Sequence, residues 1–139
     1  MSIEMNPIGH VETEAERIPR SWRSSDLEGD LIISEEYAKG LAEIEAGDRI
    51  VVLFNFHQSP PFSRGFLRQN PRSAGGGERG VFKTLSPVRP NAIGMSIVEV
   101  IEAEGSTLRV RGMDMRDGTP ILDIKPWRGD LPGSPVFEK

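Results

Sequence analysis

Cysteine is absent from this 139-residue chain. Its absence excludes disulfides, a thiolate zinc site and a thiol nucleophile. Long apolar runs are absent as well, because the longest one, residues 50–54, is far shorter than the roughly 20 residues that span a bilayer. The N-terminus also lacks a basic start followed by an apolar run. We therefore expect a cytoplasmic protein that does not enter a membrane.

Two common site patterns are also missing. The chain has two histidines, His10 and His57, and neither belongs to an HExxH motif. The sequence therefore offers no pattern for a catalytic zinc site, and we expect no metal. No GxGxxG segment follows a predicted strand, so a Rossmann-type cofactor site is not indicated.

Glycine and proline are abundant, with 15 and 11 residues, and they fall between short apolar runs. This spacing is typical of strands and turns rather than of a helix bundle. The hydrophobic fraction of 37% and the charged fraction of 27% are ordinary for a globular protein. We expect one β-rich domain over residues 1–139.

The strongest predicted strand covers residues 49–56, whose β-branched and aromatic side chains favour a central position. A short helix is predicted from Ser34, which can cap it, to about Ala42. A tight connection at 104–106 predicts a hairpin between its flanking strands. The other predicted strands cover residues 7–12, 29–34, 80–84, 93–104, 107–113 and 121–125.

Two segments lack a regular pattern. Residues 59–79 form a long predicted loop with two adjacent prolines and three adjacent glycines, and we expect part of it to be mobile. Residues 127–139 are too rich in proline and glycine for regular structure.

Charge is distributed unevenly. The net charge is −4, but residues 59–91 carry +5, which leaves about −9 for the remainder. A basic loop on an acidic body fits a docking surface for a polyanion, although a solvated loop explains the same charges equally well. The cations are Arg64, Arg68, Arg72, Arg79, Lys83 and Arg89.

Polar residues gather at three strand ends, around residues 56–58, 86–94 and 113–125. His57 suits a general base, a ligand-orienting donor or a histidine at the edge of the core. Arg89 lies between two prolines that stiffen its turn, and it either meets a ligand or pairs with a carboxylate. Residues 117–120 form a turn that serves a binding site or a hairpin corner.

Several segments match one known family. The runs SPVRPNAIG at 86–94 and DGTPILDIKP at 117–126 resemble the TrmO (TsaA-like) family pattern SPxRPNxIG followed by DGTPxLDIKP. LFNFHQ at 53–58 and IGHVET at 8–13, followed by Pro19-Arg20, resemble further segments of the same family. The resemblance covers nearly the whole chain and is weakest over residues 59–78.

The resemblance implies a fold and an activity. The expected fold is all-β, a single small closed or partly open β-barrel with one short helix and a long basic loop. The expected activity is S-adenosylmethionine-dependent methylation at N6 of the threonylcarbamoyl-adenosine beside the tRNA anticodon. The resemblance also implies a homodimer that binds the cofactor near its interface.

The resemblance further implies a set of cofactor positions. Leu85 replaces a family arginine and Ser21 a family glutamine, and we predict that Lys83 or Arg89 compensates for Leu85. The cofactor positions are Pro19, Arg20, Ser21, His57, Gln58, Leu85, Met95, Asp117, Gly118, Thr119 and Pro120.

A general base is expected because the N6 of a carbamoylated adenine is amide-like and weakly nucleophilic. The candidates are His57, Asp117 and Asp123. Asp123 has a simpler explanation, because it alternates with Lys125 in a strand and can form an ion pair across strands.

The same implied function assigns the basic loop to RNA. The six cations of residues 59–91 would hold phosphates, and Phe62, Phe66 or Trp22 would stack on an unstacked base. Two other functions fit the same residues. One is a module that binds S-adenosylmethionine without turnover, and the other is an RNA-binding accessory protein that ignores the cofactor.

Overall fold

A computed structural model describes residues 1–70 and 77–127. Arg72, the glycines at 75 and 76, and residues 128–139 of the predicted irregular tail lie outside the described residues. The strands of the described part are β1 Gly9–Glu12, β2 Glu28–Ile33, β3 Arg49–Asn55, β4 Arg68–Gln69, β5 Arg79–Gly80, β6 Ile93–Glu104, β7 Thr107–Arg111 and β8 Pro120–Pro126.

Six of these strands close into a barrel in the order β1-β2-β7-β6-β3-β8, and every neighbouring pair is antiparallel. β4 and β5 form a separate two-stranded ribbon. The prediction of an all-β fold with a small barrel is confirmed, and the barrel is closed rather than partly open. No helix in the described part of the chain is long and apolar enough to cross a membrane.

The barrel interior follows from the alternation of apolar residues along the strands. In β3, Ile50, Val52 and Phe54 point inward and are buried, while their neighbours face outward. Ser96 is a buried polar residue on the inner face of β6, opposite Val52. The buried apolar core comprises Val11, Leu31, Ile33, Ile50, Val52, Phe54, Val98, Val100, Leu108, Val110, Met113, Met115 and Ile121.

The predicted central strand and the predicted hairpin are both confirmed. β3 pairs with β6 over seven residues and with β8 on its other side. β6 and β7 form the hairpin, in which Gly105 has a φ of 61°. Glycine adopts this left-handed conformation without the steric cost that a Cβ imposes.

Two outer faces of the barrel differ in character. Across β2, β7 and β6, Arg109 and Arg111 form ion pairs with Glu28, Asp30 and Glu99 at 3.4 to 3.6 Å. Across β3 and β6, the two central outward cross-strand pairs are apolar, Val51 with Ile97 and Leu53 with Met95, and the flanking pairs are Arg49 with Glu99 and Asn55 with Ile93. One face is therefore suited to water, and the other presents apolar surface.

The predicted strand over residues 80–84 is wrong. β5 ends at Gly80, and Val81–Lys83 form a 3-10 helix. Thr84 explains the difference, because its backbone N and its Oγ1 both donate to the carbonyl of Val81, at 3.1 and 2.7 Å. These bonds bend the chain at a point where the β-branched and aromatic side chains favoured a strand.

Within the predicted loop 59–79, the described residues 59–70 and 77–79 contain regular structure. They include the 3-10 helix Arg64–Leu67, and they contribute β4 and part of β5 to the ribbon. Mobility of part of this loop stays a prediction. The predicted short helix is the 3-10 helix Glu35–Leu41. Ser34 stands at its N-cap but makes no side-chain capping bond, while Leu41 and Ile44 pack against the core.

Candidate functional site

The turn before β8 is built from its own backbone and fastened to β1. Thr119 donates to the carbonyl of Arg116 from Oγ1 at 2.6 Å and from its backbone N at 3.1 Å. The bond from Thr119 N to Arg116 O closes a β-turn, and Gly118, the third residue of this turn, has a φ of 82°. A positive φ at the third position favours glycine. Gly118 N donates to Val11 O at 2.8 Å, and Val11 N donates to Thr119 O at 2.9 Å. The turn is thus held rigidly at one end of the barrel.

His57 and Gln58 leave the end of β3 beside this turn. A Cβ built on Gly118 would lie 3.9 Å from His57 Nε2, so the imidazole stands next to a residue without a side chain. Arg116 Nη1 donates to Gln58 Oε1 at 3.0 Å across 58 residues of sequence. The fold therefore brings together two groups of predicted cofactor residues that the sequence separates widely.

One carboxylate oxygen of Asp117 binds the chain that follows β1. Its Oδ1 accepts a hydrogen bond from Thr13 N at 3.0 Å. Its side chain is exposed, and its Oδ2 makes no hydrogen bond with any described residue. One oxygen therefore remains available to a ligand.

Asp114 is a largely buried carboxylate at the start of the same connection. Ser96 Oγ donates to its Oδ1, and Trp22 N donates to its Oδ2 at 3.0 Å. Burial raises the pKa of Asp114 above the ordinary carboxyl value, and the hydrogen bonds from Ser96 and Trp22 act in the opposite direction. Asp114 thus links the barrel interior to the segment that follows Ser21.

The predicted cofactor segment 19–21 is anchored through the residues that follow it. Ser21 begins the 3-10 helix Trp22–Ser24, and its side chain accepts a hydrogen bond from Arg23 N at 3.2 Å. Ser25 Oγ donates to Met113 O at 2.5 Å. Pro19 is half-buried and Arg20 is exposed. Residues 22 and 25 therefore attach this segment to residues 113 and 114, and contact of residues 19–21 with a cofactor stays a prediction.

Asp123 lies farther along β8, opposite Leu53. Its carboxylate forms an ion pair with Lys125 at 2.8 Å and accepts a hydrogen bond from Ile124 N at 2.9 Å. The pair runs along one strand rather than across two strands. A role for Asp123 as a base stays a prediction, and its carboxylate is already engaged.

Leu85 and Met95 both present apolar surface. Leu85 is 58% exposed and Met95 is 39% exposed. Phe82, two residues before Thr84 in the same region, is 78% exposed. Contact of Leu85 and Met95 with a cofactor stays a prediction.

The turn around Arg89 is stiff, as the prolines predict, but the arginine helps to build it. Arg89 Nη1 donates to the carbonyls of Thr84 and Ser86, at 2.8 and 3.2 Å. Gln69 Nε2 donates to Val88 O at 2.8 Å and so ties β4 to this turn. Arg89 is therefore engaged with its own loop, whereas Lys83 is exposed and forms no ion pair with any described residue.

The remaining predicted RNA-binding residues of the described part lie on the ribbon and on the 3-10 helix Arg64–Leu67. Arg64 is exposed on Arg64–Leu67, and the neighbouring Phe66 is 39% exposed. Arg68 forms an ion pair with Glu78 at 2.9 Å. Arg79 lies in β5 and is half-buried. Contact of these residues with RNA stays a prediction.

Two cavities border the turn before β8. The larger, about 790 Å³, lies beside β1 and β2 and includes Gly118 in its lining. Its charged lining is mainly acidic, with Arg109 and the carboxylates of Glu12, Glu14, Glu28, Asp30 and Asp117. The smaller, about 420 Å³, is lined by Asn55, Asn91, Ile93 and Pro120, among others. Both volumes lie in the range of small-molecule pockets.

Arg116 and Asp114 belong to this site, although the sequence did not single them out. The available signal for Asp114 was a carboxylate between two methionines, Met113 and Met115, both of which are buried. The signal for Arg116 was a cation directly before a turn. Among the described residues, no group of side chains is placed to hold a metal ion.

A closed barrel with a hydrogen-bonded turn at one end, bordered by two cavities, defines a small antiparallel β-barrel domain. A family model described as the tRNA-methyltransferase O N-terminal domain matches residues 10–131. The chain belongs to this family.

Three similar proteins show the extent of the likeness. An S-adenosyl-L-methionine-binding protein of Archaeoglobus fulgidus is 40% identical over 130 residues, which are 91% of this chain and 91% of that protein. The tRNA (adenine(37)-N6)-methyltransferase of Mus musculus is 41% identical over 90 residues, which are 65% of this chain and 21% of the mouse protein. The crystal structure of TrmO from Pseudomonas aeruginosa matches with a TM-score of 0.72 and 30% identity.

The lengths of the related proteins differ. The match to the Pseudomonas structure covers 97% of this chain and 61% of that chain. A match to a protein of Pyrococcus abyssi covers 66% of its length. The chain thus spans less than two thirds of several relatives, while the Archaeoglobus protein is of similar length.

Proposed function

We propose that this protein is an S-adenosylmethionine-dependent methyltransferase that acts on N6 of threonylcarbamoyl-adenosine in tRNA. The observation that carries the proposal is the meeting of His57 and Gln58 with the turn at 116–120. These segments are among those in which the sequence resembles the family most specifically. The name of the mouse relative, which specifies N6 of adenine 37, supports the same reaction.

The residues around the turn suit S-adenosylmethionine. This cofactor carries a sulfonium and an ammonium cation, and the larger cavity is lined mainly by carboxylates. The cavity shares Asp117 and Gly118 with the turn, whereas His57 and Gln58 lie outside its lining. Gly118 has no side chain, so its backbone lies directly beside the imidazole of His57. Trp22 Nε1, one residue after Ser21, is buried without a hydrogen-bond partner among the described residues and is therefore a free donor. When bound, the cofactor supplies the electrophilic methyl group.

His57 and Asp117 are the favoured general bases. Methyl transfer requires N6 to approach the methyl carbon in line, at about 3 to 3.5 Å, so positioning contributes most of the rate. A base that removes the N6 proton makes the amide-like nitrogen a better nucleophile. His57 is exposed beside the turn, and Asp117 has a free carboxylate oxygen. Asp123 is the weaker candidate because Lys125 already pairs with it.

Transfer RNA would approach over the basic surface. Arg64 and Lys83 are exposed, and Phe66 offers an accessible ring beside Arg64. Arginine and lysine hold phosphates, and aromatic rings stack on unstacked bases. The acidic remainder of the chain would keep the RNA on this side of the barrel.

The first test is titration of S-adenosylmethionine into the pure protein, followed by mass spectrometry of tRNA that bears threonylcarbamoyl-adenosine. Cofactor binding with a gain of one methyl group on that nucleoside is the expected result. Binding without methylation would instead indicate a cofactor-binding module, which is what the name of the Archaeoglobus relative describes. Absence of binding would contradict the proposal and leave an RNA-binding accessory protein.

The proposal includes a homodimer, which the apolar outer face of β3 and β6 supports. Val51, Leu53, Met95 and Ile97 line this face, in contrast to the ion pairs on β2 and β7. Met95 is 39% exposed and the other three residues are half-buried, and apolar surface that stays accessible in one chain marks association sites. Light scattering should give the mass of two chains for the wild type and of one chain for Val51→Lys. The control Thr107→Lys, on the charged face, should remain a dimer, and a monomeric wild type would contradict the homodimer.

A further inference from the structure

Arg116 is a cation in the candidate site that no carboxylate neutralises. Its Nη1 donates to Gln58 Oε1 at 3.0 Å, and this amide oxygen carries no formal charge. Arg116 forms no ion pair with any described residue. The adjacent carboxylate of Asp117 is turned to Thr13 N, at 3.0 Å.

The side chain of Arg116 is held in position while most of its donors stay free. A guanidinium has five N–H groups in a planar fork, and only Nη1 has a described partner. Its backbone carbonyl accepts from Thr119 Oγ1 and Thr119 N, so the residue is fixed at the start of the turn. The side chain is exposed and lies between Gln58 and the turn. A planar, preorganised, unneutralised guanidinium is suited to bind a carboxylate in a bidentate manner.

We propose that Arg116 is a specificity-determining residue that binds the carboxylate of a ligand held at this turn. The inference rests on the proposed function, in which two ligands carry such a group. One is the methionyl carboxylate of S-adenosylmethionine, and the other is the threonyl carboxylate of threonylcarbamoyl-adenosine. Gln58 acts as a positioning residue, because its amide oxygen orients the guanidinium.

The test compares Arg116→Leu with the wild type in two binding assays. The first titrates S-adenosylmethionine and its decarboxylated analogue. The second measures binding of tRNA with threonylcarbamoyl-adenosine and of the same tRNA with unmodified adenosine. The second assay compares the ratio of the two tRNA affinities. Loss of one cation weakens backbone binding of both tRNAs equally, so it does not change this ratio. Arg49→Leu is the matched control, because Arg49 is an exposed arginine at the opposite end of β3 from His57 and forms no ion pair with a described residue.

Loss of a charge-assisted bond should weaken binding by about 10- to 100-fold in one of the two assays. If the cofactor supplies the carboxylate, Arg116→Leu should weaken S-adenosylmethionine and leave the decarboxylated analogue unchanged. If the RNA supplies it, cofactor affinity should be unchanged, and the preference for threonylcarbamoyl-adenosine should disappear. Arg116→Lys should restore part of either effect, since it keeps the charge but not the fork.

The outcomes separate this inference from the proposed function. A wild type that binds and methylates, together with an Arg116→Leu variant that matches it in both assays, overturns the role of Arg116 alone. An equally large loss of affinity in Arg49→Leu would also overturn the role of Arg116, because removal of any exposed arginine would then have the same effect. A wild type that binds neither ligand overturns both the proposed function and this inference.

Discussion

His57 is the residue on which the proposed chemistry depends most directly. If its imidazole removes the N6 proton, His57→Ala should lower kcat by about 100-fold or more. The control is Tyr37→Ala, because Tyr37 is an exposed aromatic residue on the 3-10 helix Glu35–Leu41 and lines neither of the two cavities. Steady-state kinetics over a range of S-adenosylmethionine concentrations up to saturation would test this expectation. Unchanged kcat with a raised KM for the cofactor would instead assign His57 to binding.

Asp114 makes stability depend on pH in a defined direction. Burial places its folded-state pKa above the ordinary value of 3.8. The folded protein therefore holds this proton more tightly than the unfolded chain does. Its contribution to stability is fully present below pH 3.8 and is lost as the pH rises through the raised pKa.

The variant Asp114→Asn removes this titration. The free energy of unfolding of the wild type minus that of Asp114→Asn should therefore decrease as the pH rises from below 3.8. This difference should become constant above the raised pKa. Urea unfolding at a series of acidic pH values measures this difference. A difference that is independent of pH, or that increases over this range, would refute the assignment.

Gly94 is required by the packing of two aromatic rings. A Cβ at this position would lie 2.4 Å from Phe54 Cε2 and 2.8 Å from Phe56 Cζ. These rings already pack edge to face, with centroids 5.0 Å apart. Gly94→Ala should therefore lower the free energy of unfolding by about 1 to 3 kcal/mol, as is usual for overpacking.

The control for this packing effect is Gly40→Ala, because a Cβ at Gly40 would have no neighbour within 4 Å. Thermal or urea unfolding of both variants provides the comparison. Equal stability of Gly94→Ala and the wild type would mean that Phe54 and Phe56 shift without cost.

The sequence predicted some site residues and missed others for a physical reason. His57, Gln58 and the turn at 117–120 lie in motifs whose order along the chain is recognisable. The roles of Asp114 and Arg116 depend on partners 92 and 58 residues away, Trp22 and Gln58. No local pattern shows which distant groups the closed barrel brings to a side chain. The same applies to Arg89, whose donors are used within its own loop.

At the scale of elements, Gln69 connects the ribbon to the turn around Arg89. Its Nε2 donates to Phe66 O and Val88 O, each at 2.8 Å. Gln69→Ala removes both bonds, which contribute about 1 kcal/mol each. We expect amide hydrogen exchange within residues 84–91 to become roughly fivefold faster. Exchange in β3 and β6 should not change.

The neighbouring Asn70 supplies a control for this loop. Asn70 is exposed and makes no hydrogen bond with a described residue. Asn70→Ala should therefore exchange like the wild type throughout. Equal exchange in Gln69→Ala and Asn70→Ala would show that the ribbon does not support the turn.

Elements rich in β-branched and aromatic residues were predicted best. β3 and β6 carry such side chains within segments of seven and twelve residues, and both are strands. Residues 80–84 were predicted as a strand, but the bonds of Thr84 to Val81 outweigh the propensity of a short segment. The ribbon was missed because each of its strands has two residues, too few for a periodic signal.

At the scale of the molecule, the separation of charge predicts how tRNA binding responds to salt. Each phosphate neutralised by a cation adds about 0.7 to 0.9 to the slope of log K against log salt concentration. Arg64→Gln and Lys83→Gln should each reduce the slope by about this amount. Filter binding of tRNA from low to moderate salt measures it.

The control for the salt dependence is Arg109→Gln. Arg109 is committed to ion pairs with Glu28 and Asp30 on the charged face of β2 and β7. Its removal should leave the slope unchanged. A reduced slope in Arg109→Gln and an unchanged slope in Arg64→Gln would place the RNA on the opposite side.

The barrel as a whole could be expected only through the family resemblance. Alternation identifies strands, but it does not state which strands pair or whether the sheet closes. Closure here depends on β8 returning to pair with both β3 and β1. Those pairings join distant parts of the chain, and no neighbouring residues encode them.

Closure also has a consequence for how the barrel opens. β1 and β8 share two paired residues in the ladder, fewer than any other neighbouring strands of the barrel. This short seam ends at Pro120, beside the turn that borders both cavities. The seam depends on the hydrogen bonds that join Val11 to Gly118 and Thr119, and a ligand that bridges the turn to β1 would add a further connection across it. Occupancy of the site would then slow the opening of the entire barrel.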